Sequence, residues 1–405
     1  MKIAVALPAL LFALGAADAQ VVQTKEHKVR IVTVVQGLEH PWGLAFLPDG
    51  RMLVTERPGR MRVIGADGKL DPAPIADLPR VDPQGQGGLL DVALHPQYAA
   101  TGWVYWTYAQ RDEQGRNGTE LARGKLAGQP GAYRMTDVQV LLKLEPKDNS
   151  GLHFGSRIVF DRMQPRGQTP VSAGAGVAKS QPDSRRLGSD PAVLMYVTFG
   201  ERGTKERAQD LGDIAGKIVR LTDEGKPAPG NPFAGSASAR PEIFSFGNRN
   251  VQGAALHPAS GALWATEHGP QGGDELNVIK PGVNYGWPTI TYGVNYGSGT
   301  KIGEGTEKSG LAQPVKHWVP SPALSGLAFY NGDKFPRWRG DALLGALRGQ
   351  VLIRVRLNGE KFVEDEFMLR GALPRIRDVR AGPDGFVYLL TDQPNGAVLR
   401  LEPAN

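Results

Sequence analysis

The chain has 405 residues and no cysteine, with 47 Lys and Arg against 41 Asp and Glu, a net charge of +6 and a pI of about 9.4. The missing thiols exclude a disulfide scaffold, a cysteine nucleophile and a zinc–thiolate centre. The positive residues are scattered, without a basic run or interleaved aromatics, which argues against nucleic-acid binding but leaves room for a local basic site that holds a small polyanion.

Residues 1–19, MKIAVALPALLFALGAADA, place one lysine before an apolar run and end in Ala17, Asp18 and Ala19. This is the pattern of a secretory signal peptide cleaved before Gln20; an uncleaved anchor is the weaker alternative. The apolar part is shorter than the roughly 20 residues of a spanning helix. Residues 20–405 are therefore expected as one exported, periplasmic domain without a stable membrane span.

Beyond the signal, 53 glycines and 31 prolines punctuate short apolar runs, an all-β signature. One grammar recurs: an apolar run, a turn, a second apolar run, then Thr or Gly with an acid. It is seen in WGLAFLPDGRMLVTE (42–56), in GLLDVALHPQYAATGWVYWTY from Gly88, and in RIVFD from Arg157 paired with AVLMYVTFGE ending at Glu201. It returns in VQGAALHPASGALWATE (251–267), SGLAFYNGDKFPRWRGDALLGAL from Ser325, and RDVRAGPDGFVYLLTD (377–392). Six units of roughly 64 residues, several ending in a further strand, predict a six-bladed β-propeller with four-stranded antiparallel blades. Residues 163–190, rich in Gly, Ser, Pro, Gln and Arg, interrupt the third unit within a turn and read as a flexible insertion with no catalytic role.

In a propeller, the turns inside these units share one face. The residues before each first run and after each second run share the other. Gln86, His153, Arg249, Asn250, Arg375 and Arg377 precede first runs; Glu201, the 267–275 loop and Arg348 follow second runs. They are expected to converge on the axis. His153 suits proton transfer near neutral pH, and Glu201 suits the orientation of an imidazole. His95 and His257, both in LHP at strand ends, read as turn residues. Converging arginines repel unless an anion lies between them, and an anion with several carboxylates would satisfy them. The stretch TEHGPQGGDELNVIKPGVNYGW (266–287) combines three carboxylates with five glycines. That suits a hard cation bound through oxygens, although the spacing is not that of an EF-hand.

Together the stretches GLEHPWGLAFLPDGRMLVTERPGRMRVI, GQGGLLDVALHP, HFGSRIVF, TFGERG, AQDLGDIAGKIVRL, FGNRNVQGAALHP, TEHGPQGGDELNVIKPGVNYGWP, SPALSGLAFY and RIRDV resemble the soluble aldose sugar dehydrogenases that depend on pyrroloquinoline quinone (PQQ), the family of soluble glucose dehydrogenase. The resemblance spans nearly the whole chain after residue 19. It implies PQQ over the propeller axis with calcium beside it, and His153 as the base for an aldose oxidised at C1. It further implies Arg249, Arg377 and Arg375 on the cofactor carboxylates, with Gln86, Asn250 and Arg348 completing the pocket and Tyr296 lining it. Glu201 stands where glucose dehydrogenase has an aspartate near the base, and Arg348 where a lysine is common. The carbonyls of Gly269 and Pro270 would hold the calcium beside PQQ; Glu275 and the carbonyl of Tyr285 would hold a second, structural calcium. The implied partners are an aldose and an electron acceptor, a quinone or a cytochrome, in a monomer or homodimer. Two other classes stay open from the residues alone: a calcium-dependent lactonase, which needs no ring of arginines, and a non-enzymatic glycan-binding propeller.

Overall fold

The computed structural model describes residues 20–161 and 193–404. The expected signal peptide and the 163–190 insertion lie outside the described residues. Within them the strands form six sheets in a ring. Each sheet begins with an inner strand: Pro41–Phe46, Leu89–Leu94, Ile158–Phe160, Val251–Leu256, Leu324–Phe329 and Ile376–Ala381. All pairings within the sheets are antiparallel, and the second strand of each sheet is the second apolar run of a sequence unit. The architecture is the six-bladed β-propeller expected from the repeat.

The blades are not identical. Four carry four strands, the first carries three and the last carries five. The last blade gains strands because Lys28–Leu38 pairs with Gly396–Pro403, so the beginning and the end of the chain close the ring in one sheet. Closure leaves no sheet edge open between the two termini.

The core is divided among the blade interfaces. Six apolar clusters each join two neighbouring blades, for example Leu53, Met61 and Val63 against Val92, Val104 and Trp106. Alternation along each strand sends side chains to both faces of a blade, and both faces are covered, so the central strands are buried throughout. Full burial of such a side chain contributes about 1.5–3 kcal/mol.

The threonine of the repeat has a specific task. Thr107 Oγ1 donates to the Ser156 carbonyl at 2.8 Å, Thr198 Oγ1 to Val251 at 3.3 Å and Thr266 Oγ1 to Ser325 at 2.8 Å. Thr55 Oγ1 donates likewise to the Leu90 carbonyl. Each hydroxyl ties the second strand of one blade to the inner strand of the next. In the fifth blade Gly345 occupies the threonine position, and Ser325 Oγ instead donates to Ile376 O at 2.7 Å. Inner strands approach so closely here that a Cβ on Gly253 would lie 2.3 Å from the Ser325 carbonyl oxygen.

Five of the six inner strands carry a register shift near their start: between Pro41 and Leu44, Leu89 and Val92, Val251 and Gly253, Leu324 and Leu327, and Ile376 and Asp378. A bulge turns its extra residue out of the ladder. The residues at these bulges include Trp42, Leu90, Gln252 and Arg377, and all four line one cavity at the axis. Arg157 contacts Asp91 at 3.0 Å and Asp378 at 3.1 Å, and its guanidinium lies 4.4 Å from the Trp42 ring centre. This buried ion network backs the cavity wall through Trp42.

Candidate active site

Three adjoining chambers open on one face of the ring. The first, of about 400 Å³, is lined by Gln86, His153, Glu201, Arg249, Gly269, Pro270, Tyr296 and Arg348, among others. The second, of about 180 Å³, contains Arg57, Arg375 and Arg377 beside the bulged residues, and shares Gln86, His268 and Ala323 with the first. The third holds Glu267, Glu275 and Tyr285 and shares Arg249, His268, Gly269 and Trp287 with the first. Among the described residues none of the turns within the repeat units contributes to these walls. Twelve of the thirteen residues singled out from the sequence thus meet around one axis. Asn250 is the exception. It is 1 % exposed and lies behind the wall, where its Oδ1 accepts hydrogen bonds from Gly155 N and Gln252 Nε2, each at 3.1 Å.

His153 is held from several sides. Its backbone N–H donates to Gln86 Oε1 at 3.0 Å. Its φ of +50° lies in the left-handed region, which costs a side-chain-bearing residue roughly 1 kcal/mol or more. Directly behind it, a Cβ on Gly200 would sit 2.2 Å from the His153 carbonyl oxygen, so only glycine lets the two backbones approach. The ring Nδ1 lies 3.0 Å from Glu201 Oε1, at ion-pair distance but off the line of a ring N–H. Burial pushes the imidazole below its usual pKa; Glu201 opposes this, while Arg249 and Arg202 reinforce it. His153 is therefore neutral near pH 7 and able to accept a proton.

The cationic walls are deeply set. Arg249 donates from Nη1 to the His268 carbonyl at 3.1 Å and lies 5.3 Å from the Trp287 ring centre. Arg377 donates from Nη1 to Gln252 Oε1 at 3.0 Å and from Nη2 to Asp392 Oδ2 at 2.9 Å. The Nε groups of Arg57, Arg249 and Arg377 are buried without a protein partner. Burial lowers the pKa of Arg249 and Arg377, so an anion placed in the chamber would stabilise both guanidinium groups. Arg348 is exposed at the mouth. Tyr296, 67 % exposed, donates its hydroxyl to the Pro270 carbonyl at 3.0 Å.

Sequence reasoning passed over His268, although it stands beside Gly269 in the loop already singled out. It borders all three chambers, its Nε2 is buried without a partner, and burial followed by Arg249 holds its pKa down at about 3. Lys205 was also missed; it lines the first chamber and reaches Asn295 Oδ1 at 3.3 Å. His95 and His257 behave as turn residues, each accepting a backbone N–H at Nδ1 from Gln97 and Ser260 respectively.

In the third chamber the buried Glu267 and the half-buried Glu275 both line the wall. Burial raises the pKa of Glu267, and burial together with the Glu267 charge pushes Glu275 up to about 8. Asn248 and Asn277 donate to Glu267 Oε1, and Asn277 also to Glu275 Oε2 at 3.1 Å. The Tyr285 hydroxyl donates to Val278 O at 2.5 Å and accepts Lys280 N–H at 2.9 Å, so it is turned into the fold. Among the described residues no three His, Cys, Asp or Glu side chains cluster as metal ligands. The oxygens that fit a hard cation here combine carboxylates with backbone carbonyls, the donor set calcium prefers over zinc. A tricarboxylate likewise fits the second chamber, whose unpartnered guanidinium N–H groups need acceptors.

The sequence pattern of the glucose/sorbosone dehydrogenase family matches residues 38–182 and 171–400. The aldose sugar dehydrogenase YliI of Escherichia coli is 42% identical over 380 residues, 93% of this chain and 94% of that protein. The apo-form crystal structure of the soluble aldose sugar dehydrogenase from Escherichia coli superposes with a TM-score of 0.81 at 40% identity, covering 93% of this chain and 100% of that one. The PQQ-bound aldose sugar dehydrogenase from Streptomyces coelicolor superposes with a TM-score of 0.69 at 30% identity over 93% and 99% of the two chains. A propeller that gathers a neutral histidine and a set of anion-seeking arginines at its axis, and that matches these proteins over nearly its whole length, belongs to the glucose/sorbosone dehydrogenase family and is an oxidoreductase of the glucose dehydrogenase type.

Proposed function

We propose that this enzyme is a PQQ-dependent aldose dehydrogenase that oxidises its sugar at C1 to the lactone. The observation that carries the reading is a neutral, carboxylate-paired His153 in the same cavity system as buried arginine N–H groups that have no protein acceptor. Arg249, Arg375 and Arg377 would hold the three carboxylates of PQQ, with Gln86, Arg348 and Tyr296 around it. Asn250 would act from behind the wall through Gln252. The Gly269 and Pro270 carbonyls would hold a calcium ion next to the cofactor, and Glu275 with the Tyr285 carbonyl a second, structural one. When bound, the group would supply a calcium-polarised quinone whose C5 carbon would be the acceptor for the C1 hydride.

The chain's own contribution is positioning and proton transfer. His153, unprotonated at neutral pH, takes the proton from the sugar's C1 hydroxyl as the hydride leaves, so proton and hydride depart together and the lactone carbonyl forms. Glu201 lies within ion-pair reach of the ring and stabilises the imidazolium that results. Gln86 fixes the backbone of the base.

Protein reconstituted with PQQ and calcium is expected to reduce an artificial dye in the presence of aldoses, and His153→Ala to abolish this. No reduction across an aldose panel refutes the reading. Lactone turnover without PQQ points instead to a lactonase, and an unchanged quinone absorption spectrum on mixing points to a non-enzymatic binding protein. Export to the periplasm is part of the proposal, supported by residues 1–19. Among the described residues no helix is long and apolar enough to cross a membrane. Cell fractionation tests it.

A further inference from the structure

We propose that Asp392, backed by His40, is a positioning residue that presents Arg375 and Arg377 to a ligand carboxylate and couples closure of the propeller ring to loading of the anionic cofactor. The inference rests on the reading of these arginines given above. Asp392 follows the strand Val387–Thr391, and its side chain is 4% exposed. One of its oxygens, Oδ2, accepts from Arg375 Nη2 at 3.0 Å and from Arg377 Nη2 at 2.9 Å. Its other oxygen, Oδ1, lies 2.9 Å from His40 Nδ1, which donates to it. Two guanidinium groups drawn to a single oxygen atom are close neighbours, an arrangement their like charges oppose without that carboxylate. Gln252 Oε1 fixes a further N–H of Arg377 at 3.0 Å, and the buried Nε of Arg377 is left without a protein acceptor.

His40 connects this clamp to ring closure. It comes just after Lys28–Leu38, the strand that completes the last blade. Its backbone N–H donates to Gln393 O at 2.8 Å, beside Asp392, and its carbonyl accepts from Arg57 N at 3.1 Å. Arg57 lines the same chamber as the two arginines. The strand that locks the ring therefore delivers His40 to the carboxylate and fixes the backbone of a third cationic residue. A ligand that pulls on Arg375 and Arg377 is held, through Asp392 and His40, by the junction between the last and first blades.

Positioning and simple electrostatics predict opposite signs. Removing the Asp392 charge makes the chamber more positive, so Coulomb attraction alone would tighten a tricarboxylate. Loss of the clamp loosens it. The test titrates apoprotein in calcium buffer with PQQ and with PQQ trimethyl ester, followed by tryptophan fluorescence and by the ligand-induced rise in Tm. Asp392→Ala is expected to weaken PQQ about tenfold or more, as charge-assisted hydrogen bonds lose their geometry, and to leave the ester's affinity unchanged. Asp392→Asn keeps an acceptor and hence the fold, and should weaken PQQ less. His40→Ala should weaken PQQ and reduce the Tm rise. His40→Asn should restore both, because Asn keeps an N–H donor near the Nδ1 position and tolerates the φ of +47° at this site. Unchanged or tighter PQQ binding in the Asp392 variants, or equal losses for PQQ and ester, overturns the proposal while leaving the functional reading intact. Failure of the wild type to bind PQQ refutes both.

Discussion

Gly200→Ala tests the placement of the proposed base without touching its chemistry. The new Cβ would meet the His153 carbonyl oxygen at 2.2 Å, its carbonyl carbon at 2.5 Å and Asn250 Oδ1 at 2.9 Å. Non-bonded carbon and oxygen rest at about 3.5 Å, so backbone must yield by roughly 1 Å. The yielding atoms belong to His153 and to a buried asparagine fixed by Gly155 N and Gln252 Nε2, not to a flexible side-chain tip. Overpacking of this kind costs about 1–3 kcal/mol of stability. A displacement of this size at a catalytic group typically costs about 10²-fold in rate. The variant should therefore fold with a lowered Tm and bind PQQ through the arginines of the second chamber, while kcat for dye reduction falls about 10²-fold. A kcat within about twofold of wild type, in protein shown to bind PQQ, would mean that the position of His153 does not limit the reaction.

Glu201→Gln removes the group that holds the His153 pKa up against burial and the neighbouring arginines. The reaction needs the neutral imidazole, so activity is present above the folded-state pKa and lost as pH falls through it. In wild type the acidic limb of kcat/KM should lie below pH 6.5, and in Glu201→Gln it should move to still lower pH with kcat at neutrality reduced about tenfold; a limb that moves upward refutes the pairing. Thr266→Val removes a hydroxyl that ties the fourth blade to the fifth and leaves the buried Ser325 carbonyl short of a donor. Urea unfolding should report a loss of about 1–3 kcal/mol, and no loss would deny the repeat threonine its structural role. Chelation of calcium should lower Tm and abolish PQQ binding, with recovery on adding calcium but not magnesium, whose rigid octahedral shell suits carbonyl-rich loops poorly. Full recovery with magnesium would refute the calcium assignment.

Much of the site was legible because the repeat supplies a coordinate system. Once a unit is recognised as two paired strands, the residues before the first and after the second must lie at one end of the blade. That logic placed Gln86, His153, Glu201, Arg249, Arg348, Arg375 and Arg377 together without any knowledge of side-chain direction. It failed for Asn250, which lies only one position beyond Arg249 but points behind the wall. It also passed over Gln252 and Trp42, which a regular strand would send into a blade face. The bulges at the start of their strands turn them towards the axis instead. His268 was hidden by its neighbours, since the carboxylates and glycines of its loop drew the chemical reading to themselves.

The repeat alone was enough to give the number of blades, the face on which the candidate residues converge and most of the residues there, because a propeller writes its period into every unit and each unit folds by local pairing. How those residues meet depends on contacts between blades far apart in the chain. The contact between His40 and Asp392 spans 352 positions and exists because the first long strand of the chain completes the last blade. The depressed pKa of His153 and the unpartnered arginine N–H groups likewise arise from burial at an axis to which all six blades contribute. Periodicity is local and can be read along the chain; convergence depends on closing the ring.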